Sequence, residues 1–328
     1  MIISRTPFRI SFVGGGTDLE SYYSQNDGKV LSTTIDKYIY VCVKKPVDIV
    51  EHKYRIAWSQ LEYKDNIDDI EHPIVRETLK FLHIDHPVEI VTFADVPAQT
   101  GLGSSSAFAV GLLQALYALR GEVATKYRLA SEAAHIEIER LGRHIGKQDH
   151  FAAAYGNLNI FSFHQGGTVT VDPVFYNPET KRHVESRLML FYTALKRDAS
   201  KVLKEQRDST EAKRAVLDSM RDLVEPLRDA LMHAKDPARF GVILDESWQM
   251  KRSLTGSVSS SEIDGYYESA RNAGAVGGKL LGAGGGGFLL LYVEPECQSA
   301  VRKALEPLYQ LPFRFDDGGS RITYYDER

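Results

Sequence analysis

The sequence predicts an α+β protein of two domains, with strands concentrated early and helices late. Three observations carry that expectation. The chain has 328 residues, more than one hydrophobic core usually fills. Extended, β-rich runs dominate as far as Phe93, and helical patterns dominate from Ser104 onward. A polar, proline-bearing stretch from Pro173 to Glu185 reads as a linker, which divides the chain into residues 1–180 and 181–328.

Each element follows from its local pattern. Ile2 to Val13 is a β-rich run that stops at Gly14-Gly15-Gly16, and Val30 to Lys44 is rich in Val, Ile, Thr and Tyr. Val88 to Phe93 alternates apolar and polar residues before Asp95-Val96-Pro97 breaks it. Ala107 to Leu119 is apolar on nearly every side and built of helix formers, the pattern of a buried helix. Thr125 to Leu141 is amphipathic, with Arg128–Glu132 and His135–Glu139 at i,i+4 spacing and Gly142 beyond its end. Asn157 to Phe163 and Thr168 to Asp172 read as strands. Past the linker come a strand at Leu188 to Thr193 and helices over Ala199 to Asp208, Glu211 to His233, Pro237 to Leu254 and Ser260 to Asn272. The chain finishes with a glycine tract, a strand at Phe288 to Val293, a helix from Glu296 to Tyr309 and a short strand at Arg321 to Tyr325.

Composition excludes several classes of function. With 40 basic and 44 acidic residues, a net charge of −4, the chain offers no broad cationic surface for nucleic acid or membrane. Hydrophobic residues at 43% and charged residues at 26% describe an ordinary folded protein. No stretch approaches the ~18 apolar residues of a spanning helix, and the N-terminus lacks a basic segment followed by an apolar run. Cys42 and Cys297 alone make neither a disulfide scaffold nor a metal cluster, and both are expected to be buried thiols. The expectation is a cytoplasmic protein.

The most informative segment is Pro97 to Ala107, Pro-Ala-Gln-Thr-Gly-Leu-Gly-Ser-Ser-Ser-Ala, a small-residue loop that feeds a buried helix. Glycines let backbone approach a ligand, the first amides of a helix lack internal partners, and the helix dipole favours negative charge. Gly101, Leu102, Gly103, Ser104, Ser105, Ser106 and Ala107 therefore form a candidate phosphate cradle, with a serine run that caps the helix as the lesser alternative. No lysine precedes the serines, so the ordinary P-loop is disfavoured. Gly282 to Gly287 holds more glycine than a hairpin needs, which suggests backbone in close approach to a ligand or another segment.

These segments resemble the GHMP kinase superfamily. Its second motif, Pro-x-x-x-Gly-Leu-Gly-Ser-Ser-Ala, matches the cradle with one extra serine here, and its first is similar to Thr6-Pro-Phe-Arg9-Ile-Ser-Phe-Val-Gly-Gly-Gly-Thr-Asp18. Its third is similar to Gly277-Gly-Lys-Leu-Leu-Gly-Ala-Gly-Gly-Gly-Gly-Phe288. The resemblance implies a two-domain fold, with a ribosomal protein S5 domain 2-like N-terminal domain and a ferredoxin-like C-terminal domain. It implies a kinase that uses ATP and Mg2+. It assigns Asp149, in Gly-Lys-Gln-Asp-His, as catalytic base, with a loop N-cap as the alternative. Arg9 would polarise the acceptor or keep the aspartate charged. Ser105 and Glu139 would hold the metal, with Glu137 as second choice for the carboxylate.

The first motif lacks the Glu-His pair of galactokinase. With Thr34-Ile-Asp-Lys-Tyr38 and Gly146-Lys-Gln-Asp149, it is more similar to the bacterial heptose 7-phosphate kinases of the family, which phosphorylate an anomeric oxygen. Asp18, Gly15, Gly16, Thr17, Gly284 and Gly285 are the implied substrate contacts. Lys147, Arg197, Arg143 and Lys201 are candidates for a second anion site. A fucokinase- or galactokinase-like enzyme is the alternative, and a non-catalytic sugar and ATP sensor is a further one from another class. The partner expected is a small sugar phosphate, and a homodimer is compatible with the reading.

Overall fold

The computed structural model describes residues 1–47, 49–195, 199–233 and 238–326. Arg197, Asp236, Pro237 and the side chain of Lys201 lie outside the described residues. In chain order the elements of the first half are β1 (Ile2–Val13), α1 (Glu20–Tyr23), β2 (Gly28–Lys44), β3 (Tyr54–Ala57), β4 (Leu61–Lys64), α2 (Pro73–Phe81), β5 (Val88–Ala94), α3 (Ser104–Leu119), α4 (Lys126–His135), a π-helical turn (Ile136–Arg140), α5 (Gln148–Tyr155), β6 (Asn159–Phe163) and β7 (Val169–Pro173). The second half contains α6 (Pro178–Glu185), β8 (Leu188–Tyr192), α7 (Ala199–Asp208), α8 (Arg214–Asp222), α9 (Val224–His233), α10 (Ala238–Arg252), α11 (Ser261–Asn272), β9 (Ala275–Leu280), β10 (Phe288–Val293), α12 (Gln298–Ala304), β11 (Tyr309–Gln310), β12 (Phe315–Asp316) and β13 (Arg321–Tyr325).

A nine-stranded sheet runs β13-β1-β2-β5-β3-β4, and the long β2 also pairs with β6 and β12. Its pairings are antiparallel apart from β3 with β5. α3 packs on β1 and β2, and its apolar residues on all sides, among them Ala109, Val110, Leu112, Leu113 and Leu116, are fully buried, as the sequence predicts. The second sheet has the order β11-β8-β10-β9, which is fourth-first-third-second in its own chain order, the ferredoxin-like arrangement. Trp248, Tyr267, Leu289 and Leu291 form the core between this sheet and α10 and α11.

The structure differs from expectation at several elements. The supposed linker is mostly helix: Asn177 Oδ1 accepts from the Thr180 amide at 2.7 Å, Pro178 fills the first turn, and Thr180 and Val184 are buried. The helix expected over Glu211 to His233 divides into α8 and α9, and Pro226, which lacks an amide, falls in the first turn of α9. The helix expected to reach Tyr309 ends at Ala304, ahead of Pro307. Residues 181–328 are not one continuous domain either, because β12 and β13 return to the first sheet and pair with β2 and β1. Cys42 and Cys297 are half-buried free thiols rather than fully buried ones. Among the described residues no helix is long and apolar enough to cross a membrane.

Candidate active site

The loop from β5 into α3 needs left-handed backbone at Gly101 (φ +82°) and Gly103 (φ +76°), which glycine adopts without strain. Gly103 is the N-cap of α3, and no side chain caps the first-turn amides, so neither Ser104 nor Ser106 caps the helix. Those amides stay available to an anion along the axis of a sixteen-residue helix. The third glycine segment lies directly on this loop: a Cβ on Gly282 would stand 2.5 Å from the Gly101 Cα, and the Phe288 amide donates to Thr100 O at 3.2 Å. Gly284 and Gly285, expected to reach the substrate, face the second domain instead, where the Gly285 amide is taken by Val258 O at 2.8 Å.

Arg9 and Asp149 meet beside the cradle. Arg9, on β1 and 4% exposed, donates from Nε to Asp149 Oδ1 and from Nη2 to Asp149 Oδ2, both at 2.7 Å. Its Nη1 donates to Gly101 O at 2.6 Å. Asp149 opens α5, and a Cβ on Gly103 would lie 3.3 Å from Asp149 Oδ2, so the carboxylate stands at the mouth of the cradle. Both its oxygens hold Arg9, yet a carboxylate has about four acceptor positions, which leaves capacity for a hydroxyl.

The metal candidate divides differently from expectation. Glu139 pairs with His135 at 2.9 Å and is 68% exposed, away from the cradle. Glu137 is fully buried and receives the Ser105 hydroxyl and Arg143 Nη1 on Oε1, and His150 Nε2 on Oε2 at 2.9 Å. Since a carboxylate only accepts, His150 Nε2 is the donor in that bond. Burial alone would push the Glu137 carboxyl up, but the His150 hydrogen bond and the His150 and Arg143 charges outweigh it and hold it below the ordinary range. Arg143 Nη1 also lies 2.6 Å from Ser105 Oγ, so one cationic group touches both oxygens. Ser105 Oγ and Glu137 Oε1 are oxygens of the kind a hard divalent cation takes, and Arg143 would have to withdraw to admit one. Among the described residues no three His, Cys, Asp or Glu groups converge, so such a cation would take most of its ligands from phosphate and water.

Asp18 is buried, accepts from the Gly16 amide at 3.0 Å and the Gln148 amide at 3.2 Å, and so ties the first motif to α5. Burial, then the charge of Asp149, pushes its carboxyl up. Thr17 is not free for substrate: it is buried, and its hydroxyl donates to Gly14 O at 2.8 Å and accepts from the Lys29 amide on β2 at 3.0 Å. A Cβ on Gly16 would fall 2.2 Å from Gln206 Nε2, which places α7 over the first motif. Lys147 is not brought to Asp149. Its ammonium donates to Gly167 O at 3.0 Å, lies over the Tyr23 ring, and lines a separate cavity of about 350 Å³ with Glu20 and Glu139. Two acidic neighbours make that cavity a poor host for a phosphate.

Sequence reasoning assigned no role to two buried lysines. Lys251 on α10 donates to Leu280 O at 3.3 Å and to Gly282 O, and Lys279 on β9 donates to Phe12 O at 2.6 Å. Burial, then Arg9, pushes Lys251 down to about 7, against a smaller pull from Asp18. Burial, then Lys251 and Arg9, holds Lys279 well below the ordinary lysine value.

The family model for the GHMP kinases N terminal domain matches residues 73–157, and that for GHMP kinases C terminal matches residues 227–309. The D-glycero-alpha-D-manno-heptose 7-phosphate kinase of Campylobacter jejuni is 31% identical over 97% of both chains. The galactokinase of Pyrococcus furiosus is 28% identical over 95% of this chain and 94% of its own. The crystal structure of a D-glycero-D-manno-heptose 1-phosphate kinase from Bacteroides thetaiotaomicron superposes with a TM-score of 0.82 at 25% identity, covering 99% of this chain and 100% of that one. Both regions in order, a full-length relative above 30% identity and the shared fold make this chain a member of the GHMP kinases, an ATP-dependent phosphotransferase.

Proposed function

We propose that the protein transfers the γ-phosphoryl group of ATP to the anomeric hydroxyl of D-glycero-D-manno-heptose 7-phosphate, giving the 1,7-bisphosphate for bacterial nucleotide-activated heptose synthesis. The observation that carries the chemistry is the Arg9–Asp149 pair at the mouth of an uncapped helix N-terminus. Likeness to the Campylobacter enzyme over nearly the whole of both chains supports the choice of sugar.

In this reading the amides of Gly103 to Ser106 hold the polyphosphate, and Asp149 takes the proton of the attacking hydroxyl. Arg9 fixes the carboxylate through two bonds and balances charge as phosphate approaches. Ser105 and Glu137 would hold Mg2+, which supplies charge neutralisation to the transferred group when bound. Asp18 accepts hydrogen bonds from the sugar. Arg143, already within reach of Ser105, serves the nucleotide side of the site rather than the sugar phosphate.

A fucokinase- or galactokinase-like reaction on an unphosphorylated sugar is the second reading, favoured by the cavity at Lys147, whose acidic lining suits no phosphate. Incubation with magnesium-ATP and heptose 7-phosphate, mannose, fucose, galactose or mevalonate, followed by NMR location of the new phosphate, separates the two. A product phosphorylated at C1 of the heptose supports the first. Turnover of fucose or galactose alone supports the second.

A further inference from the structure

We infer that Ser11 and Gln148 form a hydrogen-bonding pair that reads one hydroxyl of the acceptor sugar next to the carbon being phosphorylated. This rests on the function proposed above and adds a specificity determinant to it.

The placement follows from two periodicities. Side chains two apart on a strand share a face, so Ser11 lies on the side of β1 that carries Arg9. Gln148 precedes Asp149 in the first turn of α5, and its amide is anchored on Asp18. The two side chains converge over Gly15: a methyl carbon built there would stand 3.8 Å from Ser11 Oγ and 3.8 Å from Gln148 Nε2, with nothing nearer. Glycine thus leaves room for about a methyl-sized group in contact with two polar atoms.

Their bonding state is what points to a ligand. Ser11 is 6% exposed, and its Oγ has no hydrogen-bond partner. Gln148 Oε1 is also out of solvent and unpartnered. The strand does not satisfy Ser11 from across the ladder, because Ser32, its register partner, carries an unpartnered Oγ of its own. Buried polar atoms are nearly always bonded, so the orphan Ser11 hydroxyl, facing the same space as the Gln148 amide nitrogen, calls for a polar guest. A sugar hydroxyl has the matching chemistry: it accepts from Gln148 Nε2, the amide atom that faces the space, and donates to Ser11 Oγ. An apolar acceptor would leave both groups unpaired, which is how a site built to bond a hydroxyl rejects the analogue without it.

The test compares heptose 7-phosphate with its 2-deoxy, 3-deoxy and 4-deoxy analogues for the wild type, Ser11→Ala, Gln148→Met and the double variant. The measured quantity is the ratio of kcat/KM for parent and analogue, which does not depend on the fraction of enzyme correctly folded. The wild type should prefer the parent over the 2-deoxy analogue, which lacks the hydroxyl beside C1, by on the order of 10²-fold. The double variant should bring that one ratio to within about threefold of unity while the other ratios and the KM for ATP stay close to wild type. Unchanged ratios in all variants, or a wild type indifferent to the 2-deoxy analogue, overturn the inference and leave the proposed function standing. A wild type that phosphorylates no heptose overturns both, and that result comes before any variant is made.

Discussion

Gly101→Ala tests whether the second and third glycine segments must touch for the site to work. Two effects add at this position. Forcing a Cβ into backbone at φ +82° costs about 1–2 kcal/mol. That Cβ would also stand 2.6 Å from the Leu281 carbonyl oxygen, against roughly 3.3 Å for a close carbon–oxygen contact, so the loop must retreat by about 0.7 Å. Overpacking of this kind costs about 1–3 kcal/mol more, for a total loss of about 2–5 kcal/mol. Gly101 O is also the acceptor for Arg9 Nη1, so the retreat loosens the guanidinium that holds Asp149. Misplacement by ~1 Å can cost ~10²-fold in rate, so kcat should fall by roughly 10- to 100-fold. Gly121→Ala is the control, since Gly121 has φ +71° with nothing within 4 Å of the added carbon. It should lose only the strain of about 1–2 kcal/mol and keep its kcat. Urea midpoints and steady-state rates measure both variants. A Gly101→Ala enzyme within about threefold of wild-type kcat would refute the contact argument, as would a Gly121→Ala enzyme equally impaired in turnover.

Other substitutions separate the remaining roles. Asp149→Asn should lower kcat by ~10²–10⁴-fold while calorimetry finds ATP bound as before, and near-normal turnover would remove Asp149 from proton transfer. Glu137→Gln should raise the Mg2+ concentration for half-maximal rate by about tenfold or more, whereas Glu139→Gln, on the exposed side, should not move it. The reverse ranking in a Mg2+ titration would restore Glu139 as the ligand. Lys251 has a folded value of about 7 against an ordinary 10.5, so between those values the unfolded chain binds more protons and stability rises with pH. Lys251→Met should therefore flatten the stability curve between about pH 7 and 9, read from urea midpoints, and an unaltered slope would mean the amine is not held neutral by the fold.

What the sequence disclosed and what it withheld divide along physical lines. The cradle and the third glycine segment were legible because unusual backbone demands an unusual residue, and Gly101, Gly103 and Gly282 all adopt left-handed angles. The buried helix was legible because Val110, Leu112, Leu113 and Leu116 leave it no polar face. Glu137 could have been found as well. Leu129, Ala130, Ala133 and Ala134 form the buried stripe of α4, and four residues beyond Ala133 lies Glu137, a carboxylate placed among apolar neighbours. Glu139 stands four residues after His135, and the i,i+4 pair noted in the sequence already marked that face as solvated. The capping signal of Asn177-Pro178 was equally present, and it was outweighed by the stretch's polarity.

Other features have no local signature, because they depend on segments brought together only by the fold. Lysines are surface residues by default, and nothing near Lys251 or Lys279 in sequence announces that each amine is enclosed. Their burial is the consequence of a site assembled from both halves of the chain without side chains between its glycine segments. Gly282 meets Gly101 backbone to backbone, so the segments themselves supply no side-chain grip on one another. The grip comes from outside: Lys279 reaches Phe12 O just before the first glycine turn, and Lys251 reaches Gly282 O in the third segment. Two desolvated amines are a costly way to hold backbone. A long, thin side chain with a donor at its tip reaches those carbonyls from a distance and leaves the glycine segments in backbone contact with one another.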